Sequence, residues 1–355
     1  MKKMSKAART NILTYGFVAA AFIVLQLFIS SGNITSSLQG QLVPICAYVV
    51  MAVSLNLTVG VLGELSLGHA GFMSIGAFVG AVTCIGLQNA IPLVPVRLGL
   101  SMTIGAICAG AAGVLIGIPV LRLRGDYLAI VTLAFGEIIK NIINCLYVGV
   151  DSRGLHISFL TSADALKLQE GGRVIIDGPM GISGITKVST FTTGFILILV
   201  TLFVVLNLIN SRSGRAIMAL RDNRIAAESV GIPVTKYKMM AFVVSAALAG
   251  AAGTLYAMNY STIVASKFNF NTSILVLVFV VLGGLGNILG SVIAAAVLTV
   301  LPELLREFND YRMLVYAIVL ILVMLATNNE NIKTLIGRIR RSIRPAAGTK
   351  GGNGK

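Results

Sequence analysis

Residues 42–86 read LVPICAYVVMAVSLNLTVGVLGELSLGHAGFMSIGAFVGAVTCIG, a run whose sole charged side chain is Glu64. An α-helix rises ~1.5 Å per residue and the hydrocarbon core of a bilayer is ~30 Å thick, so the run is roughly two crossings long. It predicts two helices through a membrane. Working outward, further apolar windows of spanning length lie at 12–30, 98–121, 191–209, 238–260 and 311–327. The segment 127–147 is also long enough to span but carries Glu137 and Lys140. At i and i+3 these two share a helix face and can neutralise each other.

Composition agrees. Of 355 residues, 56% are hydrophobic and 12% charged, with mean hydropathy +0.90, about half the charge of an ordinary water-soluble chain. A soluble enzyme cannot hide that much apolar surface. The net charge of +15 would suit a nucleic-acid binder only if a sizeable polar domain displayed it, and none is present. Cys46, Cys84, Cys108 and Cys145 sit in apolar runs without C-x-x-C spacing. They read as small core residues rather than disulfides or metal ligands. Lys2, Lys3, Lys6 and Arg9 precede a stretch too long for a signal peptide, with no A-x-A-like site after Ser30, so it is read as a retained first helix.

Connections rich in Lys and Arg stay on the cytoplasmic side. Four stand out: the N-terminus, Arg122 with Arg124, the stretch from Arg212 to Lys238, and the tail from Lys333 to Lys355. The loop 148–190 instead balances Arg153, Lys167, Arg173 and Lys187 against Asp151, Asp164, Glu170 and Asp177, which places it outside. Two basic connections flanking 238–327 demand an even number of crossings between them. Leu282-Gly283-Gly284-Leu285-Gly286-Asn287 breaks a helix locally, so 273–283 is expected to enter and 287–301 to return. An unwound segment at membrane depth survives only where protein or a wet cavity satisfies its backbone. Gly283, Gly284, Gly286 and Asn287 are therefore candidates for a translocation path. So are Glu64 and His69, ionisable groups in an apolar run; a structural hydrogen-bonding role is the alternative for both.

The connection 210–237 has an internal helical pattern, with Ile217, Leu220, Ile225 and Val230 among charges. Asp222 or Asn223 can cap a short helix that Gly231 and Pro233 end. Such a helix suits docking into a partner's groove or contact with anionic lipid, and charge alone leaves both open.

Ile225-Ala226-Ala227-Glu228-Ser229-Val230-Gly231 resembles the EAA-x-x-x-G signature of ABC importer permeases. Ile225 stands where the signature has Glu, and the downstream I-x-L-P is absent. The surrounding Arg221-Asp222-Asn223, Lys238-Met239-Met240-Ala241-Phe242 and 249–257 resemble the form found in branched-chain amino acid permeases. Residues 54–73 are similar to a signature shared by the two permeases of that transporter, and Arg122 to Glu137 to the motif of its M-type permease.

The resemblance implies an all-α, polytopic integral membrane protein of about 8–10 transmembrane helices, a type II-like ABC importer permease. It implies a transmembrane domain over 1–327, with a periplasmic loop at 148–190 and a cytoplasmic coupling loop at 210–237, then a basic cytoplasmic tail at 328–355. Arg221, Asp222, Ala226, Ala227, Glu228 and Gly231 are the residues it assigns to coupling with the ATPase. Expected partners are a second, H-type permease, two ATP-binding subunits, a periplasmic substrate-binding protein and the lipid bilayer, with no nucleic acid. The expected home is a bacterial cytoplasmic (inner) membrane and the substrate a branched-chain or similar hydrophobic amino acid. No G-x-x-x-x-G-K-[ST] occurs, nor a catalytic triad or metal cluster, so no cofactor is expected in this chain and ATP would be used by the partner subunits. The alternative is a secondary transporter or channel working without ATP, for which paired acids at mid-membrane would speak.

Overall fold

A computed structural model describes residues 6–31, 36–88, 90–123, 125–151, 154–159, 173–305 and 311–328. Arg124, Arg153, residues 160–172, residues 306–310 and the basic tail past Asn328 lie outside the described residues. The chain divides into two compact units, 1–300 and 301–355. The second carries the helix α12 (Arg312–Asn328).

The first unit is a helical bundle: α1 (Lys6–Ser30), α2 (Ser36–Asn56), α3 (His69–Gly86), α4 (Val94–Val120), α5 (Asp126–Asn144), α6 (Phe191–Asn210), α7 (Arg212–Asp222), α8 (Arg224–Ser229), α9 (Val234–Ala257), α10 (Phe270–Gly283) and α11 (Ile288–Leu304). Among the described residues seven helices are long and apolar enough to cross a membrane, and α11 is a shorter apolar one. The expected windows match helices to within a few residues, although 238–260 and 127–147 each run three residues past the ends of α9 and α5. α4 begins before residue 98 and takes in Arg97, a buried cation. Cys46 and Cys84 are buried as expected, whereas Cys145 is exposed at the end of α5.

The described residues of the loop 148–190 are not irregular. Strands β1 (Tyr147–Asp151), β2 (Gly154–Ser158), β3 (Arg173–Asp177) and β4 (Ile182–Ser183) join β5 (Thr262–Ile263) in an antiparallel sheet of order β2-β1-β3-β4-β5. His156 meets Asp151 through Nε2 at 3.1 Å. Ile157 and Phe159 are exposed rather than packed on helices. Because β1 follows α5, β4 precedes α6 and β5 follows α9, the sheet marks one end of the bundle. α7, α8 and the start of α9 mark the opposite end.

Small residues set the core. α9 packs against α3 and α4 so closely that a Cβ on Gly253 would lie 1.9 Å from the Met73 carbonyl oxygen. One on Gly76 would lie 2.0 Å from that of Gly250, and one on Gly105 2.4 Å from Thr254 Oγ1. Without a hydrophobic drive between helices in lipid, such close backbone approach supplies the van der Waals contact that holds them. Thr254 Oγ1 adds a hydrogen bond to the Gly76 carbonyl at 2.8 Å.

Two unwound stretches separate apolar helices. α2 widens into a π-turn at Leu57–Val61, the chain runs without helix from 62 to 68, and α3 starts at His69. Neighbours satisfy the exposed backbone, as membrane depth requires: Leu67 N donates to Thr132 Oγ1 at 3.1 Å and Ala70 N to Ser273 Oγ at 3.1 Å. The second break separates α10 from α11 at Gly284–Asn287, where Gly284 (φ 92°) and Gly286 (φ 80°) adopt a left-handed backbone open to glycine. The helix break thus falls where the glycine run predicts. The α10 and α11 backbones meet at Gly283 and Gly290.

Candidate functional site

The end opposite the sheet gathers most of the residues singled out by sequence. The 210–237 connection holds the short helix expected between Asn223 and Gly231, α8, preceded by a second one, α7. Ser211 caps α7 by accepting from Gly214 N at 3.1 Å, and Asn223 caps α8 by accepting from Ala226 N at 3.0 Å, since short polar side chains satisfy the free amides of a first turn. Gly231 (φ 83°) ends α8, its N donating to the Glu228 carbonyl at 3.0 Å and that of Ile232 to Ala227 at 3.1 Å. A left-handed residue after the last turn is the common helix stop.

The apolar residues of this connection divide by direction. Ile217 is buried with Leu57, Val61, Leu62 and Ala241, seating α7 on the π-turn. Leu220 packs with Ala227 and Val234, seating α8 on α9. Ile225 and Val230 are 77% and 76% exposed, beside an Arg224–Glu228 ion pair at 2.9 Å. Ala227 therefore faces inward, and the outward surface of α8 is formed by Ile225, Ala226, Glu228 and Val230.

The Arg221 side chain, 40% exposed, reaches back to the π-turn. Its Nη1 donates to the Gly60 carbonyl at 2.9 Å, while Nε and Nη2 reach Asp222 Oδ1 at 3.2 and 3.1 Å. Gly60 is itself wedged between Asn56 and Gly286. Asn56, fully buried, ties the two helix breaks together by accepting from Gly286 N at 2.8 Å and donating to Ser291 Oγ at 2.8 Å. Asn287 caps α11, accepting from Gly290 N at 3.2 Å. Glu64 forms an ion pair with Lys238 near the start of α9. His69 is buried, with its Nε2 2.8 Å from Ser54 Oγ.

Structural partners thus account for Glu64, His69, Gly283, Gly286 and Asn287. The hydroxyls of Thr58, Ser66 and Ser74, buried from the π-turn into α3, find no hydrogen-bond partner among the described residues. Glu137 pairs with Lys140 as their spacing predicts. Among the described residues no three His, Cys, Asp or Glu side chains gather as a metal site. Sequence reasoning missed Asn56 and the partnership of Lys238. A polar amide inside an apolar run was the available signal for the first, and no spacing rule signals the second.

The architecture defines a multi-pass helical membrane protein in which two unwound stretches between apolar helices lie against a pair of short helices at one end. The chain belongs to the family of branched-chain amino acid transport system permease components, whose model matches residues 37–324. It is 36% identical over 292 residues to the high-affinity branched-chain amino acid transport system permease protein LivM of Salmonella typhimurium, covering 78% of this chain and 66% of that one. The figures are the same for LivM of Escherichia coli. The chain thus spans just under two thirds of the length of these relatives. The fructose import permease protein FruG of Bifidobacterium longum is 28% identical over 249 residues, 67% of each chain. No solved structure matches the chain.

Proposed function

We propose that this chain is the M-type permease subunit of an ATP-binding cassette importer for branched-chain amino acids in a bacterial inner membrane. An H-type permease would complete the pathway, two ATP-binding subunits would dock on α8, and a periplasmic binding protein would deliver substrate at the sheet end. The basic connections and tail would face the cytoplasm. No cofactor would be held by this chain, and the ATP would be consumed by its partners.

One observation supports this reading above others: the outward face of α8 leaves Ile225 and Val230 exposed directly beyond a helix seated on the π-turn. An exposed apolar pair rimmed by charge is the profile of a docking surface. The substrate class comes from the family and its relatives, and the fructose permease among them calls for a direct comparison. The ATP-independent reading has less support, because Glu64 and Glu137 are each neutralised by a lysine rather than poised for ion coupling.

The test is uptake of labelled leucine, with fructose as the competing arm, in cells lacking and regaining this chain beside its genomic neighbours. Leucine uptake together with copurified ATP-hydrolysing chains supports the proposal. Ion-driven uptake by the purified chain alone in vesicles overturns it.

A further inference from the structure

Arg221 belongs to the stretch assigned to the ATPase, yet its partly exposed side chain also reaches back to the π-turn. Its Nη1 holds the Gly60 carbonyl at 2.9 Å. A Cβ on Gly63 would strike its Cγ at 2.6 Å, and one on Gly286 would lie 3.6 Å from Nη1. Gly63 thus leaves room for the aliphatic stem of Arg221, and Gly286 lies at ordinary contact distance from its guanidinium.

The electrostatics explain why a cation sits there. The helix of α2 and its π-turn stops at Val61, so the Gly60 carbonyl has no helical amide to receive. α10 stops at Gly283, two residues before the Leu285–Gly286 turn. The π-turn presents its C-terminal end, the negative pole of its dipole, to the guanidinium, and Asn56 ties the Gly286 amide to the same turn. A guanidinium can donate in one plane to several acceptors, which a lysine ammonium does not reproduce. Asp222 holds the guanidinium's other edge, and Ile217 one turn earlier locks α7 to the π-turn by packing.

We propose that Arg221 is a positioning residue of transport, a clamp that binds the end of the π-turn to α7, with the α10–α11 break joined to that turn through Asn56. Displacement of α7 then moves both helix breaks as one body, instead of sliding past them. The inference rests on the importer reading for the source of the displacement. It adds which residue carries that displacement inward, and to which turn. A differential contact of this kind is what a coupling mechanism requires.

The experiment uses the whole transporter with its ATP-binding and substrate-binding subunits, the native cysteines replaced, and spin labels at Arg215→Cys on α7 and Leu285→Cys in the α10–α11 break, both exposed positions. Expected is a 215–285 distance distribution that stays the same with and without ATP in the otherwise unaltered protein. In Arg221→Gln it broadens and shifts on ATP binding, and uptake per ATP hydrolysed falls at least tenfold, with Arg221→Lys restoring only part. A mere helix cap would be restored by the lysine charge and would leave the distances alone. Should Arg221→Gln fail to accumulate, Asp222→Asn carries the same test, because that carboxylate is 68% exposed and outside the packed core. A 215–285 distance that already changes with ATP in the unaltered protein, or unchanged uptake per ATP in the variants, overturns the clamp. Copurification is measured first on the unaltered protein: its failure removes the importer reading, whereas copurification with unchanged coupling in Arg221→Gln removes the clamp alone.

Discussion

The α3–α4–α9 core and the end that holds Arg221 are assembled by opposite means. In the core, backbone lies on backbone: Gly76 against Gly250 and Gly253 against Met73. At the other end, three polar links do the joining: Arg221 to Gly60, Asn56 to Gly286 and Ser291, and Glu64 to Lys238. Close packing distributes attraction over many small contacts and yields to no small displacement. A few hydrogen bonds hold α7 and the helix breaks to one another while leaving them free to shift, as a group, against the packed core. The contrast separates a rigid body from a joint.

The largest effect expected from breaking this contrast is in the core. In Gly253→Val the new side chain meets main chain rather than a movable side chain, so destabilisation reaches or exceeds the about 1–3 kcal/mol of ordinary overpacking. Yield in the membrane and the melting temperature in detergent should both collapse. A modest Gly286→Ala is its counterpart at the joint. There a Cβ has 3.3 Å to the nearest atom, and the loss is confined to the about 1–2 kcal/mol of a left-handed backbone. If the two variants melt alike, the distinction between body and joint fails.

Next comes the ion pair. Lys238→Met leaves Glu64 without its partner in a largely buried place, a change of about 3 kcal/mol by the usual penalty for half a buried pair. The double variant Glu64→Gln with Lys238→Met should recover most of the lost melting temperature. A double variant as unstable as the single one would show that Lys238 acts through packing. Asn56→Leu follows: it removes two hydrogen bonds and strands the Gly286 amide, about 1–3 kcal/mol, and hydrogen exchange at 284–287 should rise while the core stays protected.

Much of this was legible in the sequence, and the boundary is instructive. The crossings of α1, α2, α4, α6 and α9 follow from uncharged length, and the α10–α11 break from its glycines, because both are local properties of the chain. The Glu137–Lys140 pair follows from i,i+3 geometry. The sheet is hidden because its strands are short and β5 joins from far along the chain. Glu64 finds Lys238 in a distant helix, and no periodicity announces such a partner. Nor did the amphipathic pattern of 210–237 reveal which apolar residues face inward, since Asn223 resets the helical phase between Leu220 and Ile225.

That reset yields the smallest expected effect on stability and the sharpest division of roles. Ala227 is buried under Leu220 and Val234, so Ala227→Glu drives a carboxylate into the seat of α8. It should lower the melting temperature as well as any partner binding. Ile225→Asp alters a side chain that touches little of this chain, and its stability should stay within about 0.5 kcal/mol of the original. Copurification of ATP-hydrolysing chains should nonetheless fall, because the apolar residue of the outward face has become a charge that docking must desolvate. Equal melting with undiminished copurification would move the docking surface elsewhere on the α7–α8 pair, with Val230→Asp the next position to try. Loss of binding without loss of stability in Ile225→Asp, set against loss of both in Ala227→Glu, would establish that the residue pattern shared with importer permeases serves two directions at once. Its alanine holds the short helix to the joint, and its neighbours present that helix to the partner.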